Sequence, residues 1–201
     1  LENFSSKLLQ EAVDEFAKLP GIGKKTALRL VLHLLNRDKE EVSQFGNTII
    51  KLRNEIKRCQ SCQVISDRDT CPICADTSRD HSLICVVENS RDVMAIESTH
   101  QYSGIYHVLG GIISPMDGIG PGDLNIENLH NKIEDRTVQE IVLALSTTME
   151  GDTTNFYLYK RFRDYPIRIT TIARGISIGN DLEFADELTL GKSIANRTLF
   201  E

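Results

Sequence analysis

The sequence has no tryptophan, and aromatics of any kind make up only 6% of its 201 residues, so any core must rest on aliphatic side chains. Nowhere does it offer the run of about 18 apolar residues that a membrane-spanning helix needs. Its first residues, Leu1 to Ser6, lack the basic-then-apolar order of a secretory signal. These absences predict a soluble, cytoplasmic protein with no membrane partner. Internal repeats and low-complexity tracts are missing too, which excludes solenoids and disordered linkers. A surplus of positive charge is also lacking: the formal charge is −6, which taken as a sum argues against a polyanionic partner. The distribution argues otherwise. Residues 1–58 carry 11 Lys and Arg against 8 Asp and Glu, a net of +3, so residues 59–201 carry −9. Lys18, Lys24, Lys25 and Arg29 fall in one stretch without an acid, and a polyanion would dock there.

What is present falls into three textures. In residues 7–19 the apolar side chains Leu8, Leu9, Ala12, Val13, Phe16 and Leu19 recur at steps of three and four, predicting an amphipathic helix that Pro20 ends. Gly21-Ile22-Gly23 predicts a tight turn, and Ala27, Leu28, Val31, Leu34 and Leu35 restart the helical period. Val42, Phe45, Ile49, Leu52 and Ile56 mark a third helix whose apolar seam wants a partner, although Gly46 costs it about 1 kcal/mol. From Leu83 onward short apolar runs (83–87, 105–109, 140–145, 167–172) alternate with helical patterns near 90–99, 126–134, 153–165 and 182–195. That alternation predicts an α/β domain with a mainly parallel sheet. The stretch 114–122, rich in Gly and Pro, reads as a surface loop.

Five cysteines cannot form a complete disulfide framework, and four of them stand as Cys59-x2-Cys62 and Cys71-x2-Cys74 within one polar insert. Two residues between thiolates let each pair grip one side of a tetrahedral ion, and four thiolates suit a closed structural Zn²⁺ site. Unrelated thiols or a redox pair are the rival reading, disfavoured because both pairs share so short an insert. Cys85, in an apolar run, reads as a small core residue. His81 and His107 read as structural, His33 as packed or capped, and Phe156, Tyr157, Tyr159 and Phe162 as packing.

Leu19-Pro20-Gly21-Ile22-Gly23 ahead of a basic helix resembles the helix-hairpin-helix module, which binds DNA without sequence preference. Gly21 and Gly23 let backbone approach a phosphate, the helix start offers free N–H groups, and Lys24, Lys25 and Arg29 add charge. On the residues alone, an ordinary turn with a solvated basic end stands level with this reading. A phosphate-binding nucleotide loop fits worse than either, because Lys18 and Lys25 occupy the positions that would need Gly and Ser or Thr.

Glu88 follows the run 83–87, and Glu150-Gly151-Asp152 follows the run 140–145. This arrangement resembles the Toprim domain, in which a glutamate after one strand and an Asp-x-Asp after a later one hold Mg²⁺. Here Ser146 and Thr148 stand at the Asp-x-Asp positions, and hydroxyls are poor Mg²⁺ ligands. The remaining acids, Glu88, Glu150 and Asp152, read equally as a weak metal or partner contact and as charges at helix N-termini.

These three modules in this order resemble the RecR family of recombination proteins along essentially the whole chain. The likeness extends to Ser78-Arg79-Asp80, to residues 106–111 and 114–121, and to Ile172-Ala173-Arg174-Gly175. It departs at Ser146-Thr147-Thr148, where relatives usually read Asn-Pro-Thr. The resemblance implies a helix-hairpin-helix module over 1–58, a zinc module over 59–74, a Toprim domain over 81–175 and an oligomerisation segment over 176–201. It further implies a non-enzymatic clamp, a homotetramer that binds DNA and works with RecO, and in some species RecF, to load RecA where single-strand-binding protein coats the DNA. Such a protein would associate with the nucleoid when acting. The rival is an active Mg²⁺-dependent Toprim nuclease or topoisomerase-like enzyme, against which the missing carboxylates count.

Overall fold

The computed structural model describes residues 6–176, 179 and 181–197. Residues 1–5 of the N-terminal stretch, and residues 177, 178, 180 and 198–201 of the expected C-terminal segment, lie outside the described residues. The chain divides into two compact units, residues 1–56 and 57–201.

The first unit is helical. α1 (Lys7–Ala17) starts where the Ser6 hydroxyl accepts from the Leu9 N–H at 3.3 Å, and α2 (Lys24–Leu35) starts at Gly23. Their facing stripes bury Val13, Ala27 and Val31, with Leu9, Phe16, Ile22 and Leu28 packed around them. Ala27, completely buried, is small enough to let the two helices close on each other. α3 (Lys39–Glu55) buries no side chain. Phe45, Ile49 and Leu52 of the expected seam stay substantially exposed among the described residues. Arg37–Glu41 and Lys51–Glu55 pairs at i,i+4 support α3 from its polar sides.

The second unit opens with an antiparallel ribbon, β1 (Lys57–Arg58) and β2 (Ile65–Ser66), and a single helical turn, α4 (Pro72–Ala75). A four-stranded sheet follows, wholly parallel, in the order β4-β3-β5-β6: β3 (Asp80–Val87), β4 (Gly104–Val108), β5 (Glu140–Leu143) and β6 (Arg168–Thr171). The connections carry α5 (Ser90–Glu97), α6 (Ile126–Glu134) and α7 (Met149–Phe162), and α8 (Glu187–Ala195) comes last. β3 reads as an unbroken apolar run because it lies inside the sheet with both faces covered. Its side chains alternate: Ile84 and Val86 join Leu129, Ile133, Ile141, Leu158 and Phe162 on one face, while Cys85 and Val87 join Val93, Tyr106 and Val108 on the other. That second core also takes in Cys59, Cys62 and Cys71. The polar insert therefore borrows the sheet's core.

The segment before β3 is tied down by a half-buried ion pair between Arg79 and Glu97 at 2.5 Å. Arg79 also donates to the Gly104 carbonyl at 2.9 Å, and the Tyr106 hydroxyl donates to Glu97 at 2.7 Å. His107, fully buried in β4, bonds through Nε2 to the Asn125 carbonyl at 2.8 Å, and a carbonyl only accepts, so Nε2 carries the proton. Burial, with the nearby Lys132 charge, pushes its pKa down to about 3.

Several boundaries differ from the sequence reading. α7 begins at Met149 rather than near 153, because Thr148 caps it. The expected helix over 182–195 is a 3-10 turn (Leu182–Phe184) followed by α8, divided where the Asp186 carboxylate accepts from the Thr189 N–H at 2.8 Å. His33 is exposed rather than packed. Among the aromatics of α7, Phe162 is buried and Tyr157 packs on the core, while Phe156 and Tyr159 face outward. No helix among the described residues is long and apolar enough to cross a membrane.

Candidate nucleic-acid interface and zinc centre

In the hairpin, the Ile22 N–H donates to the Leu19 carbonyl at 3.1 Å and closes the turn across Pro20-Gly21. Gly21 has φ of +79°, a left-handed conformation that glycine adopts without penalty. Gly23, the N-cap, has no side chain with which to cap α2, and no acid stands in its first turn. Lys24 and Lys25 stand there instead, exposed, with Arg29 one turn on. Among the described residues no carboxylate pairs with these three, whereas Lys18 pairs with Glu15 at 2.6 Å. Cations at the positive end of a helix cost about 0.3–1 kcal/mol each. An external anion would reverse the sign. α5 makes the contrast, since Asn89 and Asp92 close a complete capping box at its start.

The cysteines come together by three local devices. Gln63, with φ of +63°, turns the chain so that its N–H donates to the Cys59 carbonyl at 2.9 Å, bringing Cys59 and Cys62 onto one side. Cys71 caps α4, its sulfur accepting from the Cys74 N–H at 3.4 Å. The Cys71 N–H donates to the Cys59 sulfur at 3.3 Å and joins the two pairs. All four sulfurs lie within 4.8 Å of one another. Tetrahedral zinc with bonds of about 2.3 Å places its sulfurs about 3.8 Å apart, so the donor set and its spacing suit a structural zinc site. Burial pushes the Cys71 thiol up to about 11, whereas hydrogen bonds, from Cys62 first, pull the Cys74 thiol down to about 5. His81 is engaged by the Asp76 carbonyl at 3.0 Å. Cys85 lies outside the cluster, its thiol pushed up to about 12 chiefly by burial.

The acidic residues behave differently. Glu88 follows β3, while Glu150 and Asp152 sit in the first turn of α7, all three half-buried. Among the described residues the four cysteines are the one group placed to hold a metal, and these three acids do not converge into another. Asp152 instead takes a forked contact from the Arg174 guanidinium, which holds its carboxyl below the usual range. Ser146 and Thr148 bond to each other at 3.1 Å, and the Thr148 hydroxyl accepts from the Gly151 N–H at 3.2 Å. These hydroxyls form helix-starting machinery. Gly151 is required by packing, since a Cβ there would stand 2.0 Å from the Ser146 carbonyl oxygen. Sequence reasoning missed the role of Arg174, 22 residues from its partner, because nothing local marks the pair. A cleft of about 270 Å³ opens beside it, lined by Thr147, Ile172, Arg174, Leu188 and Lys192.

Comparison with known proteins follows the same division. The chain matches the RecR helix-hairpin-helix over residues 9–52, the RecR four-cysteine zinc finger domain over 56–76, the Toprim domain over 82–173 and the RecR C-terminal region over 175–198. It is 60% identical over 199 residues to the Recombination protein RecR of Bacteroides thetaiotaomicron, covering 99% of this chain and 97% of that one. The protein of the same name from Porphyromonas gingivalis strain W83 is 57% identical over 200 residues, with 100% and 97% covered. That of Flavobacterium johnsoniae is 58% identical over 198 residues, with 98% and 96% covered. With likeness of this depth over nearly the full length of both partners, and with all four regions in their order, the chain belongs to the RecR family.

Proposed function

We propose that this protein is a non-enzymatic DNA-binding scaffold of recombinational repair, a clamp-like homotetramer that works with RecO, and with RecF where present, to load RecA onto DNA coated by single-strand-binding protein. The observation that carries the DNA contact is the start of α2: a glycine cap, no acid, and Lys24 and Lys25 where a helix would ordinarily place a carboxylate, with the exposed Arg29 one turn on. A phosphate supplies that missing anion, received by free backbone N–H groups and by Lys24, Lys25 and Arg29, with Gly21 and Gly23 allowing close approach. Phosphate contacts carry no base information, so binding is independent of sequence. Zinc, held by Cys59, Cys62, Cys71 and Cys74, supplies a closed cross-link with no open position for chemistry. The absence of catalysis is supported by hydroxyls at the Asp-x-Asp positions and by the Arg174–Asp152 pair. Glu88 and Glu150, not committed to such a pair, serve as a contact for RecO.

Duplex titration across a salt series tests this reading. Each phosphate neutralised contributes about −0.9 to the slope of log affinity against log salt. Lys25→Ala with Arg29→Ala is expected to flatten the slope and lower affinity while leaving zinc content unchanged. An unchanged slope would place the DNA contact elsewhere. Mg²⁺-dependent cleavage that disappears in Glu88→Ala would favour the nuclease reading instead.

A further inference from the structure

The two sides of α7 meet different surroundings. Gly151, Thr154, Leu158 and Phe162 are buried along one of them. On the other, Phe156 is 57% exposed and Tyr159 49%, although aromatic rings are large apolar surfaces that gain from burial. Lys160 stands beside them with its ammonium 4.6 Å from the centroid of the Phe156 ring, and the exposed Arg163 comes two helical turns after Phe156. At about 100° per residue, Phe156 and Arg163 lie nearly on one line, about 10 Å apart along the axis, with Tyr159 and Lys160 on either side of it. Among the described residues no carboxylate pairs with Lys160, and Asp164 approaches Arg163 only to 3.8 Å with both side chains exposed, a contact of little strength. Asp152, the other acid near this side, is taken by Arg174. Aromatic rings and available cations therefore share one outward face.

That combination favours one kind of occupant. An apolar protein surface that covered the rings would bury the two cations with them, and a buried charge without a partner is costly. Duplex DNA offers phosphates but keeps its bases stacked on one another, so the rings would go unused. An unpaired strand supplies both parts, a base face for each ring and a phosphate for each cation, the pattern by which single-stranded nucleic acid is held without regard to sequence. We infer that the outer face of α7 is a second nucleic-acid contact, selective for unpaired strands, on which bases stack against Phe156 and Tyr159 while Lys160 and Arg163 take the adjoining phosphates. A base that settles on the Phe156 ring displaces the Lys160 ammonium toward its phosphate. The contact differs in kind from the start of α2, which meets phosphates alone, and it does not depend on it.

The chain has no tryptophan, so Phe156→Trp places a single fluorescent stacking partner on the exposed face, where it needs no room in the core. Oligothymidylate added to the full chain is expected to quench that fluorescence, while an abasic oligomer of equal length and charge, and a blunt duplex, leave it unchanged. By anisotropy of labelled oligothymidylate, Phe156→Ala with Tyr159→Ala should bind at least about tenfold more weakly, as loss of stacking on one or two bases requires, and should bind the abasic oligomer as before. Lys160→Gln with Arg163→Gln should weaken both oligomers and flatten their salt slopes. With Phe156→Trp set in Lys25→Ala and Arg29→Ala, the quench should persist; its loss would return the whole contact to α2. Three other results would overturn the assignment: no binding of oligothymidylate by the wild type, which leaves duplex binding at α2 standing; bound oligothymidylate without quenching; or an alanine pair that binds it normally. An alanine pair whose only change is a smaller assembled fraction by light scattering would give the face to a second copy of the chain.

Discussion

The two units of this chain hold themselves together in different ways. Residues 1–56 rest on three buried aliphatic side chains between α1 and α2, with α3 lying apolar face outward. Residues 57–201 have a sheet covered on both faces, two cores and a four-cysteine cluster built into one of them. Aromatic volume is concentrated in the second unit, where Phe162 and Tyr106 are the largest fully buried side chains. The first unit keeps exposed what a partner could use: a basic helix start and an apolar helix face. The second keeps its cysteines in or against a core. A unit with so small a core as the first has little stability to spare.

Removing zinc should break the comparison most visibly, because structural zinc contributes on the order of 10 kcal/mol in small metal-dependent modules. Hydrogen exchange on metal-stripped protein is expected to show protection lost through residues 57–76 and weakened around Cys85 and Tyr106. The α1–α2 hairpin should keep its protection, and equal loss in both units would mean that they do not stand apart. Next in size is Gly151→Ala, whose Cβ would collide with backbone rather than with a yielding side chain. It should destabilise the α/β unit by about 3 kcal/mol, seen as a lower denaturant midpoint for that unit alone.

Ile49→Glu probes the helical unit. If a second copy of the chain covers the α3 face, light scattering should show a smaller assembled fraction at tens of micromolar, roughly where contacts of modest affinity persist. Zinc content should not change. The smallest expected effect concerns the Asp152–Arg174 pair. Its folded carboxyl value is depressed, so its contribution is complete above the unfolded value of about 3.9 and is lost as pH falls through the folded value. Because Asp152 is partly exposed, the loss should stay below about 1 kcal/mol. Acid unfolding of Arg174→Gln should lack that component.

Much of this was legible before any coordinates, and for one reason. The cysteine spacing, Pro20 and the glycines of the hairpin, and the apolar runs of β3 and β5 act through neighbours a few residues away, where short-range geometry decides the outcome. The sequence by itself therefore determined the helical hairpin, the four-thiolate cluster and the parallel α/β order. What joins distant segments only the tertiary structure decided. Arg174 reaches Asp152, and the cysteine insert enters the core behind β3. Each of these depends on which faces meet once the strands have taken the order β4-β3-β5-β6, and that order is set by the burial of the whole sheet rather than by any short segment of the chain.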